Sequence, residues 1–153
     1  MATVFNSPAE LEAAVGKNLG ASDWLEITQE RIDLFAEATG DFQWIHVDRE
    51  RARRESPFGT TIAHGHLTLS LAPKFLAEII EVKSARLLVN PGVERMRLRS
   101  PVRCGDRVRM RATLEKLREL RGAAIHVTLQ VAFEVQGQDR PAAFGKAMVV
   151  YFP

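Results

Sequence analysis

The sequence predicts an α+β protein in which an antiparallel sheet curls around one buried helix. Helix signals gather in the first half of the chain and strand signals in the second. From Leu67 to Ile80 the residues are apolar almost all round: Leu67, Leu69, Leu71, Ala72, Phe75, Leu76, Ile79 and Ile80. Polar Lys74, Glu78 and Glu81 occupy one narrow face, so a helix here is built to be buried on most sides. Beyond it the period changes. Met96, Leu98, Val102, Cys104, Val108, Met110, Ala112 and Leu114 fall on even numbers and a series of arginines on odd ones, which indicates strands with one core face and one wet face.

The elements follow in order. Ser7-Pro8-Ala9-Glu10 opens a short helix, with Ser7 as N-cap and Pro8 at its first position; it runs to about Val15 and stops at Gly16. Ser22 to Ile27 reads as a short strand. Thr28 caps a helix whose first turn holds Glu30, favourable against the helix dipole, and whose stripe is Ile32, Phe35 and Ala36. Gly40 ends it, since glycine accepts the left-handed conformation common just past a helix. Asp48 caps a short helix over Arg49-Glu50-Arg51-Ala52-Arg53, and Ser56-Pro57 and Phe58-Gly59 punctuate a turn-rich stretch. Asn90-Pro91-Gly92 breaks one strand, and Pro101 with Gly105-Asp106 separates two more. Ile125, Val127, Leu129, Val131, Phe133 and Val135 alternate again, up to Gly137. Ala143 to Phe152 is apolar on both faces, as a central strand requires.

Composition narrows the class. The chain has 153 residues, 46% hydrophobic and 26% charged, enough for one domain over residues 1–153 with its own core. A net charge of +2 gives no general pull toward nucleic acid or membrane. Cys104 is the sole cysteine, which excludes an intrachain disulfide framework and a thiolate metal cluster. No apolar run is long enough to span a bilayer and the N-terminus lacks a signal pattern, so a cytoplasmic location is expected.

Chemistry concentrates in Thr39-Gly40-Asp41-Phe42-Gln43-Trp44-Ile45-His46-Val47-Asp48. Asp41 follows a helix C-terminus, whose partial negative charge makes an aspartate electrostatically misplaced there. His46 can take or give a proton near neutrality, and the two converge on one water if the loop folds back. Taken alone, the spacing favours Asp41 as an Asx-turn residue and His46 as a satisfied surface or core imidazole. The second patch is Ala63-His64-Gly65-His66. Gly65 opens the apolar helix, where its N–H lacks an intrahelical partner and can stabilise an oxyanion; tight packing is the competing reason for a glycine. His64 and His66 point to different sides of a helix, and no metal site is expected.

These motifs resemble the MaoC-like dehydratase family, which includes the (R)-specific enoyl-CoA hydratases. The family's signature, approximately Gly-Asp-x-Asn-Pro-[aliphatic]-His-x-[Asp/Glu], is matched by Gly40-Asp41-Phe42-Gln43-Trp44-Ile45-His46-Val47-Asp48. Ile62-Ala63-His64-Gly65 resembles the [aliphatic]-[small]-His-Gly segment before the family's central helix. Gln43-Trp44 replaces the usual Asn-Pro, as in a branch described as NodN-like, and Trp44 is expected to line or narrow the acyl pocket. The resemblance implies a hot-dog fold, in which the sheet wraps a central helix, in a homodimer. It implies Asp41 and His46 as the catalytic pair, Gly65 N–H as the holder of the thioester oxygen, and Gln43 as an orienting or substrate-binding residue. No metal or redox cofactor is implied; coenzyme A is the substrate's carrier.

The implied activity is (R)-specific 2-enoyl-CoA hydration, reversible as 3-hydroxyacyl-CoA dehydration. An acyl-CoA thioesterase and a non-catalytic acyl-thioester-binding subunit are the alternatives. Seven arginines between Arg95 and Arg111, against the single acid Asp106, either attract the phosphates of the carrier or form a solvated sheet face. Asn90 is expected to face the substrate tunnel. Without interleaved aromatics the stripe gives no support for single-stranded nucleic-acid binding.

Overall fold

The computed structural model describes residues 1–153. In chain order it has β1 (Thr3–Phe5), a 3-10 helix (Pro8–Ala14), β2 (Asn18–Ala21), β3 (Leu25–Glu26), α1 (Gln29–Thr39), α2 (Trp44–Val47), α3 (Arg49–Glu55), α4 (Gly65–Ser70), α5 (Ala72–Ile79) and β4 (Ile80–Val82). Then come β5 (Leu87–Leu98), β6 (Arg107–Glu119), a 3-10 turn (Arg121–Ala123), β7 (Ile125–Val135) and β8 (Ala143–Phe152). The main sheet has the order β2-β6-β7-β8-β5, with β3 also on β6, and every pairing is antiparallel. β1 and β4 form a separate parallel pair.

The sheet closes over α5, as the α+β hot-dog reading requires. Phe75, Leu76 and Ile79 of α5 share one apolar core with Val108, Met110, Ala112 and Leu114 of β6 and Val127, Leu129 and Phe133 of β7. The Phe75 and Phe133 rings lie 6.4 Å apart in a tilted arrangement that suits the aromatic quadrupole. β8, paired on both edges, buries Val149, Val150 and Tyr151. No helix is long and apolar enough to cross a membrane.

Several elements differ from expectation, each for a local reason. The single helix over 67–80 is two helices meeting at Leu71. Pro73 has no N–H for the Leu69 carbonyl and its ring crowds that oxygen, so the helix restarts with proline in its first turn. Ile80 has already turned into β4. The helix at 8–14 is 3-10, and the Ser7 side chain makes no capping bond; Glu10 reaches back instead to the Asn6 N–H at 2.7 Å. The strand expected at 22–27 is divided: pairing begins at Asn18, and Ser22 bridges β2 and β3. Its N–H donates to the Met110 carbonyl at 2.9 Å, and its hydroxyl accepts the Met110 N–H at 3.0 Å.

Asn90-Pro91-Gly92 bulges β5 without breaking it: three residues from Val89 to Gly92 advance against two from Val150 to Met148. Pro91 is tolerated because β5 is an edge strand. A second bulge between Glu94 and Arg97, with Arg95 at φ 51°, resets the alternation. Met96 is therefore half-buried and Leu98 52% exposed, where both were expected in the core. Asn90 is exposed on this edge and does not face the cavity described below.

Candidate active site

Three elements meet at the candidate site: the loop after α1, the short helix α2, and the start of α4. Thr28 caps α1 by accepting the Arg31 N–H at 3.2 Å, and Gly40 closes it at φ 77° with its N–H on the Ala36 carbonyl at 2.8 Å. A residue with a Cβ would be strained at that φ, so glycine sets where Asp41 leaves the helix. The Asp41 carboxylate then accepts the Gln43 N–H at 3.3 Å, an Asx-type contact. The Asx-turn reading of Asp41 thus holds, and its side chain, 52% exposed, stays open to solvent.

His46 sits on α2, buried to 7% exposure. Its Nδ1 lies 2.7 Å from the Ile62 carbonyl. A carbonyl can only accept, so Nδ1 carries the proton and Nε2 is left as a lone pair. Gln29 of α1 supports this arrangement. It donates to the His46 carbonyl and to the Asp33 carboxylate, each at 2.8 Å, and its amide oxygen accepts the Thr61 hydroxyl. Burial holds His46 below the ordinary imidazole range, and neighbouring His64 adds to that; the Ile62 hydrogen bond and the Asp41 carboxylate oppose it.

His64 precedes α4 and is 3% exposed. Its Nε2 donates to the Asp41 main-chain carbonyl at 3.0 Å and lies 3.9 Å from the Asp41 carboxylate. Its ring stacks on His46 with centroids 3.9 Å apart and planes at 24°, and Phe35 packs on it at 4.9 Å. The N–H groups of Gly65 and His66 make no hydrogen bond, while those of Leu67 and Thr68 turn to the His64 carbonyl. A cavity of about 250 Å³ opens here, lined by His46, Ile62, Gly65 and Thr68 and walled by Leu98, Arg99, Pro101, Val102, Ala142 and Ala143. Gly65 also packs tightly: a Cβ on it would come within 2.4 Å of Leu98 Cδ1.

The structure therefore puts His46 and Gly65 on the wall of one cavity and the Asp41 carboxylate near His46 and His64, while Asp41 itself does not line that cavity. Nitrogen or oxygen atoms of Asp41, His46 and His64 lie within 4.8 Å of one another, close enough to consider a metal. The donor set does not suit one. His46 Nδ1 and His64 Nε2 are committed to carbonyls, and stacked rings direct their in-plane lone pairs side by side rather than to a common point. The Gln43 side chain is exposed and makes no hydrogen bond; its main-chain N–H is what reaches Asp41. Trp44 is a correction. It is half-buried beneath the Arg51 guanidinium, 4.4 Å from its ring, and forms no part of the cavity wall.

The arginine stripe divides. Arg109 and Arg111 share Glu134 at 2.7 and 3.2 Å, and Arg109 also covers the Trp24 ring. Burial raises the Glu134 carboxyl, but the two arginine hydrogen bonds and charges outweigh it and hold the group below the usual range. These two arginines belong to a solvated sheet face. Arg99 instead reaches the cavity mouth. Sequence reasoning missed His64 as the contact joining Asp41 to His46. Its place before Gly65 was visible, but its partners lie 23 and 18 positions away in the chain. The wall from Leu98, Ala142 and Ala143 carried no signal, because sheet closure alone assembles it.

Comparison with known proteins agrees with this arrangement. The family model for the MaoC like domain matches residues 10–136. The chain is 45% identical over 147 residues to 3-hydroxyacyl-thioester dehydratase Z of Mycobacterium tuberculosis, covering 96% of this chain and 97% of that protein. It is 44% identical over 138 residues to nodulation protein N of Rhizobium leguminosarum bv. viciae, covering 89% and 85% respectively. Among solved structures, the (R)-hydratase of A. caviae involved in PHA biosynthesis superposes with a TM-score of 0.72 at 26% identity, over 91% of this chain and 96% of that one. The match across most of the chain, on a sheet wrapped about a central helix, places it in the MaoC-like dehydratase family, as a hydro-lyase.

Proposed function

We propose that the protein adds water to the double bond of a 2-enoyl-CoA to give the (R)-3-hydroxyacyl thioester, and catalyses the reverse dehydration. One observation supports this reading: His46, whose Nε2 keeps its lone pair, and Gly65, whose N–H is free, line one cavity, and an Asp41 carboxylate oxygen lies within 4.8 Å of a His46 ring nitrogen. A base and an oxyanion donor lining one small, mostly apolar space are what addition to a polarised thioester needs.

In this scheme one water bonds to His46 Nε2 and the Asp41 carboxylate. Its oxygen forms a bond to the β-carbon while its proton passes to the pair. The electrons of the double bond move toward the thioester oxygen, and Gly65 N–H stabilises the enolate. The enolate then takes a proton at the α-carbon, so H and OH have been added and the pair returns to its first state. The Gln43 amide, free of internal partners, is available to the substrate. Coenzyme A carries the acyl group and no cofactor enters the scheme. The exposed apolar residues of edge strand β5, Leu87, Val89 and Val93, support a homodimer, and the expected setting is cytoplasmic.

Purified protein should hydrate a short 2-enoyl-CoA, read as loss of the conjugated thioester absorbance, with chiral analysis giving the (R) product. Asp41→Asn should lower kcat by about a thousandfold with an unchanged melting temperature. A fully active Asp41→Asn enzyme ends this mechanism. Release of free thiol from a saturated acyl-CoA would indicate the thioesterase, and binding without turnover the non-catalytic subunit.

A further inference from the structure

We infer that His64 is a positioning residue that holds both members of the Asp41–His46 pair, Asp41 through its Nε2–H and His46 through the face of its ring. The inference rests on the proposed use of that pair. His64 takes no part in the reaction scheme and does not line the cavity, yet it is among the most buried polar residues of the chain. Its Nε2 faces the Asp41 carbonyl at 3.0 Å and must be the donor. Nδ1 is then the acceptor, and it is buried with no partner.

An imidazole in that state serves no hydrogen-bond network of the core, and leaving a polar atom unpaired costs stability. Phenylalanine would fill the space between Phe35 and His46 without that cost, but could not hold the Asp41 loop. Glutamine could donate to the loop but would not cover the His46 ring. Histidine does both. Because it begins at the residue before Gly65, it also ties the pair to the start of α4, so base and oxyanion donor share one rigid reference.

The covering role has a titration consequence. The charged or titratable groups around His46 are His64 from the start of α4, Asp41 from the loop after α1, Asp33 of α1 through Gln29, and Arg99 across the cavity. Burial is the largest influence holding His46 below its ordinary value, and the His64 ring supplies part of that burial. Uncovering the ring brings His46 back up. The base then stays protonated to higher pH, and the acid limb of kcat/KM moves upward.

The two substitutions should therefore separate. His64→Phe keeps the ring covered and frees the Asp41 loop: kcat falls about tenfold, the loss expected from one hydrogen bond, and the acid limb moves less than in His64→Gln. His64→Gln keeps the donor and uncovers the ring: kcat on the plateau stays within about threefold, and the acid limb rises by about half a pH unit. NMR titration of the His46 imidazole in His64→Gln reports the same shift without any assay of turnover, and suffices if His64→Phe does not fold. A residue that only filled space would lower the melting temperature and produce neither split. Wild-type kcat in folded His64→Phe, or an unmoved His46 titration in His64→Gln, overturns the inference. Asp41→Asn measured alongside separates the two failures: full activity there sinks the catalytic pair itself, while an inactive Asp41→Asn with wild-type behaviour in both His64 variants sinks this inference alone.

Discussion

Gly65→Ala tests the oxyanion donor most sharply, because stability and activity should respond in opposite ways. Gly65 starts α4 outside the left-handed region, so alanine is allowed there, and restricting the unfolded chain favours the folded state by about 0.4–1 kcal/mol. Against this, the new methyl would sit 2.4 Å from Leu98 Cδ1. Leu98 is on an edge strand and 52% exposed, so it can turn aside at a cost of about 0.5–1.5 kcal/mol. The two contributions nearly cancel, and the melting temperature should stay close to wild type. Activity should not. In the proposed scheme the thioester oxygen approaches the Gly65 N–H, the methyl and the displaced Leu98 would crowd that approach, and losing one such donor costs about a hundredfold or more in kcat. The assay is initial hydration rate over a range of 2-enoyl-CoA concentrations, beside a thermal melt. The double variant Gly65→Ala/Leu98→Ala relieves the crowding and leaves the donor blocked, so its kcat should remain low. Full kcat in Gly65→Ala would refute the oxyanion role. Recovery in the double variant would show that the single change had merely closed the cavity.

Further outcomes follow from burial and charge. In Gly145→Ala the added methyl meets backbone, 2.7 Å from Met96 Cα and 2.9 Å from the Arg95 carbonyl, so unfolding in urea should show a loss of about 1–3 kcal/mol. Burial pushes the Tyr151 hydroxyl up to about 12. The folded state keeps that phenol neutral after the unfolded one ionises, so its contribution is full below about 10 and is lost as pH rises toward 12. Tyr151→Phe should flatten the alkaline fall in melting temperature. His46 titrates below its usual 6.5, so the unfolded chain takes up this proton first; stability is full above that value and declines as pH falls through the folded one. His46→Gln should make that acid decline shallower, and an unchanged slope would contradict the direction of the shift.

The parts of the fold that were legible depend on residues close in sequence. The Thr28 cap, the Gly40 stop and the alternation of β7 each rest on a few neighbours, and each has the expected geometry. The apolar segment from Leu67 is buried as its pattern predicts, but Pro73 divides it, because a missing N–H interrupts a helix that the hydrophobic pattern alone would continue. Strand β5 was misread because a one-residue bulge reverses which side chains face inward, and no local rule places a bulge at Arg95. At the site, Asp41, His46 and Gly65 were visible through their motifs. Their common support was not, because His64 meets Asp41 and His46 only after α4 docks beside the α1–α2 loop.

That docking also relocates the question of substrate choice. Gln43-Trp44 is where the motif departs from its family's usual Asn-Pro, and a bulky indole suggested a narrowed acyl pocket. Trp44 instead packs under Arg51 and is absent from the cavity lining, which includes His46, Leu98, Ala142 and Ala143. In this chain Trp44 therefore packs at the α2–α3 corner, and under the proposed function the acyl group would meet cavity residues that include Leu98 at the end of β5 and Ala143 at the start of β8. Leu98 is the largest of them that can move, since it is exposed on an edge strand and presses on Gly65. Under the proposed function an acyl substituent near the thioester would displace it, so Leu98→Ala should raise kcat/KM for a 2-methyl-branched enoyl-CoA relative to the straight chain, whereas Trp44→Phe should leave that ratio unchanged. A ratio that follows Trp44 and ignores Leu98 would return specificity to the motif.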